Sequence, residues 1–318
     1  MGQNTRDIRV WTALVTLYVV WGSTYLGIMI AIETLPPLFS GGFRFLIAAP
    51  LLALGLLWRR GRSALRMSRR EFLGAALVGV LLLTGGNGMI AVAQQHISTG
   101  LAALLVASVP LWLVLFRVAV RDRPQTLTLA GVLMGFGGVA ALSLTGGSGG
   151  SSTVGVLIVL AASFSWSIGS FISGRIPMPK DPFAASTVEM LAGGTALIVL
   201  ATAFGERLDL AHVSGRSLAG LAYLILVGSL IGFTSYVWLL GNAPISLVST
   251  YAYVNPVVAV ILGMLVLGET ATTGMIVGGL VIVAGVALVV STERRGRATA
   301  APLPKEPEGE ARPQPARP

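Results

Sequence analysis

The sequence predicts an all-α polytopic membrane protein with ten transmembrane helices, arranged as two repeats of five helices that run in opposite directions. Three observations lead to this prediction: an apolar composition, apolar runs long enough to cross a bilayer, and a pattern that recurs along the chain. Of the 318 residues, 54% are hydrophobic and 11% are charged, and the mean hydropathy is +0.81. A soluble domain carries about 25% charged residues, so this chain is too apolar to be soluble.

Apolar runs of about 20 residues follow one another along most of the chain, and this is the length that crosses ~30 Å of hydrocarbon. The strands of a membrane barrel are shorter, at about 10 residues, and alternate in polarity, so the runs indicate helices. The first run is longer than the ~7–15 apolar residues of a signal peptide, which favours a membrane helix there. We place the ten helices at about residues 11–32, 38–58, 72–93, 97–118, 127–144, 154–174, 183–204, 218–240, 246–267 and 273–291.

Polar segments between the runs indicate the domain boundaries. A Gly/Ser-rich stretch at 146–153 predicts a flexible linker between a first repeat at 11–145 and a second at 154–292. Residues 1–10 form a short N-terminus, and residues 293–318, rich in Pro, Arg, Glu and Ala, predict a disordered tail. Most Lys and Arg residues lie in the segments on the N-terminal side of the membrane, so the positive-inside rule predicts that both termini are cytoplasmic.

An internal repeat sets the arrangement of the helices. A tryptophan, a proline and a charge recur at one spacing, because 166 − 21, 182 − 37 and 189 − 44 are each 145; the pairs are Trp21 and Trp166, Pro37 and Pro182, and Arg44 and Glu189. Five helices per copy is an odd number, so the second copy must cross the membrane in the opposite direction. Inverted repeats are typical of secondary transporters, which bind their substrate where the repeats meet.

Several short segments resemble a known transporter family. They are WGSTYL at 21–26, PP at 36–37 with RF at 44–45, GNG at 86–88, SW at 165–166, EM at 189–190, STYAYVNP at 249–256 and GE at 268–269. Together they resemble the drug/metabolite transporter (DMT) superfamily and, within it, proteins with two EamA domains of the YedA-like branch. The resemblance implies a bacterial inner-membrane carrier that exports amino acids, related metabolites or drugs. It also implies a central cavity among helices 1–4 and 6–9, with Glu269 at a helix end outside the substrate site.

Arg44 and Glu189 are the two charges placed most clearly inside membrane helices. A charge at the bilayer centre costs ~2.5–3.5 kcal/mol on insertion scales, so each should face protein or water. Because the repeats are inverted, the two charges lie at mirrored depths, which does not favour a direct salt bridge. Three interpretations stay open: lining of the translocation path, a direct pair, and structural or gating contacts. Such contacts would join Arg44 to Glu33 or to helix-end carbonyls, and Glu189 to Arg175 or Lys180.

Polar and aromatic residues inside the helices are further candidates for the pathway. Pro110 and Pro256 each remove a backbone donor, which frees a carbonyl that can bind a polar substrate or be satisfied by neighbouring groups. With these two helix breaks we group the candidate pathway residues Trp21, Ser23, Thr24, Arg44, Asn87, Ser108, Trp166, Glu189, Tyr251, Tyr253 and Asn255. Helix packing is an equally good explanation of the tyrosines, and core packing is the alternative for the two tryptophans.

Two glycine motifs predict close approach of helices 5 and 10. They are Gly131-xxx-Gly135 and Gly274-xxx-Gly278, in which the small residues allow neighbouring backbones to come together. We interpret them first as tight packing within the chain. A homodimer through helices 5 and 10 is the second interpretation.

The sequence also disfavours several functions. It contains no cysteine, and its two histidines lie far apart, so we expect no metal site and no cofactor. The net charge of +9 is explained by basic loops on one side of a membrane, so no nucleic-acid partner is expected. A nucleotide-binding loop and a cluster of catalytic residues are both missing, which argues against an enzyme and against ATP-driven transport within this chain. A channel or a membrane scaffold is a less favoured alternative to a carrier of small molecules.

Overall fold

The computed structural model describes residues 8–121, 124–145, 153–243, 245–248 and 250–299. In these ranges the chain forms helices without strands, and we number the membrane helices α1 to α10. Their bounds are α1 Ile8–Ala31, α2 Pro37–Arg60, α3 Arg69–Ala93, α4 Thr99–Val106 and Val109–Ala119, α5 Thr126–Thr145, α6 Thr153–Ser173, α7 Pro182–Ala203, α8 Gly215–Tyr223, Leu224–Ile231 and Gly232–Asn242, α9 Ile245–Val248 and Tyr251–Leu267, and α10 Thr273–Thr299. Among the described residues, eight helices are long and apolar enough to span a membrane and two shorter apolar ones accompany them. The prediction of an all-α polytopic membrane protein is confirmed.

The helices differ from the prediction at three places. The fourth helix, predicted to be continuous, is interrupted at residues 107–108, because Pro110 cannot donate a helical hydrogen bond and restricts the residue before it. The ninth helix is also divided, into Ile245–Val248 and Tyr251–Leu267. The tenth helix continues to Thr299, past the predicted end of the repeat at residue 292. Of the predicted linker at 146–153, residues 146–152 lie outside the described residues, while Thr153 begins α6. Most of the tail and residues 1–7 also lie outside the described residues.

Helices α3 and α8 share an unusual local geometry. Each contains a π-helical stretch, at Val80–Gly88 in α3 and at Leu224–Ile231 in α8. The two stretches begin 224 − 80 = 144 positions apart, close to the 145-residue spacing of the repeat. A π-helical turn widens a helix locally and is frequent at functional sites. Its presence in both helices supports their equivalence in the two repeats.

The equivalent helices α2 and α7 pack side by side in opposite directions. At one end of the pair, the Glu206 carboxylate beyond the end of α7 accepts hydrogen bonds from the backbone N–H groups of Leu38 and Phe39 at the start of α2, both at 3.1 Å. At the other end, Arg60 of α2 pairs with Asp181 at the start of α7 at 2.5 Å. The start of each helix therefore meets the end of the other, which is the arrangement that an inverted repeat requires.

A second carboxylate from the second repeat holds the start of α4. Glu269, just after α9, accepts from the backbone N–H groups of Thr99 at 2.7 Å and Gly100 at 3.2 Å. Gly263 in α9 leaves the room for this contact, since a Cβ atom there would clash with the Glu269 carboxylate. The first N–H groups of a helix have no partner within it and favour negative charge, so these bonds stabilise α4.

Helices α5 and α10 pack closely through glycines. A Cβ atom on Gly285 would lie 2.6 Å from the backbone nitrogen of Gly135 and 2.8 Å from the carbonyl oxygen of Gly131, while one on Gly278 would contact Leu142 at 3.1 Å. The predicted close approach of these helices is therefore a contact within the chain. The same glycine faces are not free for a second copy.

We expect that Gly285→Leu destabilises the protein, because the new side chain forces α5 and α10 apart. The free energy of unfolding should fall by about 1–3 kcal/mol, the usual cost of overpacking. Gly55→Leu is the matched control, since no atom lies within 4 Å of a Cβ built at Gly55; it should change stability by less than about 0.5 kcal/mol. Thermal unfolding of both variants in detergent tests this, and equal stability of the two would contradict the packing described.

Candidate functional site

A cavity of about 150 Å³ lies between the two repeats, near the middle of the bundle. Its lining residues come from α1 to α4, α6 and α9, and they are Trp21, Thr24, Tyr25, Ile28, Arg44, Asn87, Ile90, Ala103, Val106, Ala107, Val109, Pro110, Trp166, Tyr251, Ala252, Asn255 and Pro256. In the described part of the chain no cluster of three or more His, Cys, Asp or Glu side chains could hold a metal ion. The groups that line the cavity are therefore one guanidinium, two amides, the hydroxyl-bearing side chains of Thr24, Tyr25 and Tyr251, further aromatic and aliphatic side chains, and backbone carbonyls.

Arg44 is buried, with 5% of its surface exposed, and reaches the cavity from α2. Its Nε donates to the Ser229 hydroxyl at 3.0 Å and its Nη1 donates to the Asn87 carbonyl oxygen at 3.1 Å. Neither partner is charged. The contact with Glu33, one of the alternatives left open, is not formed, because Glu33 pairs with Arg216 at 3.1 Å. The direct pair with Glu189, which the mirrored depths disfavour, is not found among the described residues.

Two features of the surroundings position the Arg44 guanidinium. A Cβ atom on Gly228, within the π-helical stretch of α8, would lie 3.3 Å from Nη2, so a glycine is the residue that leaves most room there. The guanidinium carbon lies 5.0 Å from the centre of the Phe45 ring, within range of a cation–π interaction. The guanidinium has five N–H donors, and its described partners take two. The other three donors have no hydrogen-bond partner among the described residues.

The two helix breaks bring backbone acceptors to the same cavity. Proline has no N–H, so Pro110 and Pro256 cannot donate to the carbonyls four residues earlier, which belong to Val106 and Ala252. All four residues line the cavity. Both predicted helix breaks therefore lie at the cavity, and the role of the two carbonyls in a pathway stays a prediction.

Aromatic rings form the walls. The Trp21 ring centre lies 5.1 Å from the Tyr251 ring in an edge-to-face arrangement and 5.1 Å from the Tyr236 ring. Trp166, the equivalent of Trp21 in the second repeat, also lines the cavity. The two tryptophans thus pack in the core and border the cavity at once. Tyr25 lines it too, although it is not among the predicted pathway residues.

Three of the predicted pathway residues lie outside the cavity lining because they point elsewhere. Ser23 hydrogen-bonds the hydroxyl of Tyr223 at 2.5 Å and so joins α1 to α8. Ser108 is fully buried beside the break in α4. Tyr253 packs against the hydrophobic cluster of α4, α5 and α10.

Glu189 is the fourth predicted residue outside the lining. It is partly buried in α7, where its backbone packs against Gly79 of α3, and its carboxylate is within electrostatic range of Tyr236. The predicted ion pairs with Arg175 and Lys180 are wrong for the described structure: Arg175 donates to the carbonyl of Phe171, and no ion pair joins Glu189 to either cation. The two equivalent charges therefore have different surroundings, since Arg44 reaches the cavity and Glu189 does not.

Comparison with known proteins gives a family and several relatives. The model of the EamA-like transporter family matches residues 10–144 and 153–291. The uncharacterized inner membrane transporter YedA of Escherichia coli (strain K12) is 41% identical over 260 residues, which cover 81% of this chain and 83% of that protein. The probable terminal-alkyne amino-acid exporter of Streptantibioticus cattleyicolor is 26% identical, over 88% of this chain and 92% of its own length.

A solved crystal structure also resembles the fold. It superposes with a TM-score of 0.63 at 21% sequence identity, and the match covers 90% of this chain and 98% of that protein. At this identity the likeness shows the fold alone. It agrees with the arrangement of helices described above.

We expect the stabilities of Ser229→Ala and Arg44→Met to be coupled. Ser229→Ala alone leaves the buried Nε donor without an acceptor, which should cost about 1–3 kcal/mol. In an Arg44→Met background the same change removes no hydrogen bond to a charge, so its cost should fall below about 0.5 kcal/mol. The control is Ser291→Ala, whose hydroxyl donates only to Ala287 in its own helix. Thermal unfolding of the two single variants and the double variant measures the coupling. If the effects of Ser229→Ala and Arg44→Met on stability are additive, the Arg44–Ser229 hydrogen bond is contradicted.

Proposed function

The chain belongs to the EamA-like transporter family, and from this we propose that it is a secondary transporter that exports amino acids or related small metabolites. It lies in the inner (plasma) membrane of a bacterium with both termini in the cytoplasm, and it works by alternating access between its two inverted repeats. The observation that supports the substrate class is Arg44, the one charged side chain in the cavity lining of the described residues. The name of the relative from Streptantibioticus cattleyicolor also supports export of an amino acid.

An amino acid has groups that complement three parts of the cavity. Its carboxylate binds the free N–H donors of Arg44, because a guanidinium and a carboxylate form two parallel charge-assisted hydrogen bonds. Its ammonium group binds the backbone carbonyls of Val106 and Ala252, which the prolines leave without their helical donors. Its side chain packs against the aromatic walls that include Trp21 and Trp166.

The position of the cavity supports alternating access. It lies between the repeats, where small relative movements of the two can expose it first to one side of the membrane and then to the other. Glu189 lies outside the lining, so substrate binding in this proposal does not use it. One chain is sufficient, and a homodimer through helices 5 and 10 would need surfaces other than their glycine faces.

A drug or multidrug efflux carrier is the alternative and is less well supported. Pockets for drug-sized ligands usually measure about 300–1,000 Å³, whereas this cavity measures about 150 Å³. A single positive charge also disfavours the lipophilic cations among drugs. A channel should give sustained conductance, whereas a carrier saturates and shows counterflow.

Flux measurements in proteoliposomes test the proposal. A panel of labelled amino acids should show saturable uptake that is stimulated by unlabelled substrate on the opposite side. Arg44→Ala should lower kcat/KM by about 10–100-fold, since loss of a hydrogen bond to a charged group costs about 1.5–3 kcal/mol.

The control for this experiment is Arg62→Ala. Arg62 is an exposed arginine in the short helix between α2 and α3, so its loss should leave flux unchanged. Non-saturable flux of every substrate without trans-stimulation would rule out a carrier. Unchanged flux in a folded Arg44→Ala protein would remove Arg44 from the substrate site.

A further inference from the structure

We infer that the cavity recognises its substrate by a carboxylate and takes small monocarboxylates with an apolar body of about one ring, while it rejects organic cations. In this reading the α-ammonium of an amino acid is tolerated and is not required. The inference rests on the proposed function because it concerns the same cavity. It adds the recognition element, the charge and the size of the ligand.

Arg44 carries a buried positive charge beside the cavity. The guanidinium is buried, it lines the cavity, and its described hydrogen bonds go to two neutral oxygens, on Ser229 and Asn87. The positive charge is therefore not balanced by a carboxylate of the protein. One negative charge on a ligand balances it, and a planar carboxylate fits the free side of the guanidinium with two hydrogen bonds.

The charge of the remaining lining residues disfavours cationic ligands. No acidic side chain lies among the described lining residues. An organic cation would lose its hydration and would meet Arg44 without a carboxylate to offset the repulsion, so it is disfavoured. An ammonium that belongs to a zwitterion is different, because the carboxylate of the same molecule offsets it and backbone carbonyls can accept from it.

The size and shape of the cavity limit the ligand that it can hold. An engineered cavity of about 150 Å³ in another protein binds benzene, and the cavity here measures about 150 Å³. Aromatic rings from α1 and α6 and two isoleucines, Ile28 and Ile90, form the apolar part of its wall. The free volume thus matches one ring or a short branched chain beside the Arg44 guanidinium.

An isosteric charge series tests the requirement for a carboxylate. Benzoate, benzamide and benzylamine have nearly the same shape and carry a charge of −1, 0 and +1. We expect benzoate to bind the purified protein at least about tenfold more tightly than benzamide, because only benzoate brings a negative charge and two acceptor oxygens to the guanidinium. Benzylamine should show no binding. Isothermal titration and ligand-induced thermal stabilisation, both in detergent, measure the affinities.

Two variants assign the effect to Arg44. In Arg44→Gln the affinity for benzoate should fall at least about tenfold, towards that of benzamide. Arg62→Gln removes an exposed arginine and should keep the preference of the parent protein. If Arg44→Gln does not fold, Arg44→Lys keeps the charge without the planar fork, and it should still prefer benzoate over benzylamine while binding it more weakly.

A second matched pair tests the role of the ammonium. Hydrocinnamate and L-phenylalanine share a carbon skeleton and differ only in the α-ammonium, and we expect their affinities to agree within about tenfold. The inference is overturned if benzylamine binds as well as benzoate, if no monocarboxylate binds, if Arg44→Gln keeps the benzoate affinity, or if phenylalanine binds far more tightly than hydrocinnamate.

These binding measurements need no membrane, which separates this inference from the proposed function. Benzoate that binds through Arg44, together with the absence of carboxylate flux in proteoliposomes, would overturn the carrier and leave the recognition of carboxylates. Saturable flux of amines without binding of any carboxylate would support the carrier and overturn the recognition of carboxylates. Flux of carboxylates that follows the same order as their affinities would support both.

Discussion

The antiparallel packing of equivalent helices is the constraint on which the rest of the structure depends. The α2 and α7 helices meet start to end, with Glu206 bonded to the start of α2 and Arg60 paired with Asp181 at the start of α7. The α5 and α10 helices touch through backbone atoms at Gly135 and Gly285. Because each copy is inverted relative to the other, residues at equivalent positions occupy opposite halves of the bundle. Neither copy alone encloses the central cavity.

The two halves of this symmetric scaffold hold different chemistry. Arg44 donates to Ser229 across the repeats, and the residues equivalent to this pair are Glu189 and Thr84, since 189 − 44 and 229 − 84 are both 145. Thr84 instead donates to the carbonyl of Gly193 at 2.9 Å. Among the described residues, only the first repeat therefore places an unbalanced charge, that of Arg44, beside the cavity. The two repeats share their helix contacts, while a charged side chain lines the cavity from one copy only, among the described residues.

Much of the fold could be predicted from the sequence, because membrane helices are long apolar runs and the repeat leaves a constant spacing. The same helical geometry explains the errors at the site. Ser23 and Tyr253 each lie two residues from a lining residue, Trp21 and Tyr251, and two residues turn a helix by about 200°, which points them away. Tyr25 lies four residues from Trp21, so helical periodicity alone would have found it. The partners of Arg44 lie on other helices, and no local pattern in one sequence brings them together.

The carboxylates that bond to the starts of α2 and α4 have a consequence for how the bundle deforms. Each one comes from the second repeat and accepts two backbone hydrogen bonds from the first, so it couples α2 to α7 and α4 to α9 at one end of the bundle. Charge-assisted hydrogen bonds of this kind are about twice as strong as neutral ones. A movement of one repeat relative to the other therefore has to break these four backbone hydrogen bonds or carry the starts of α2 and α4 along with the carboxylates. The inter-repeat contacts at this end of the bundle thus oppose separation of the two copies.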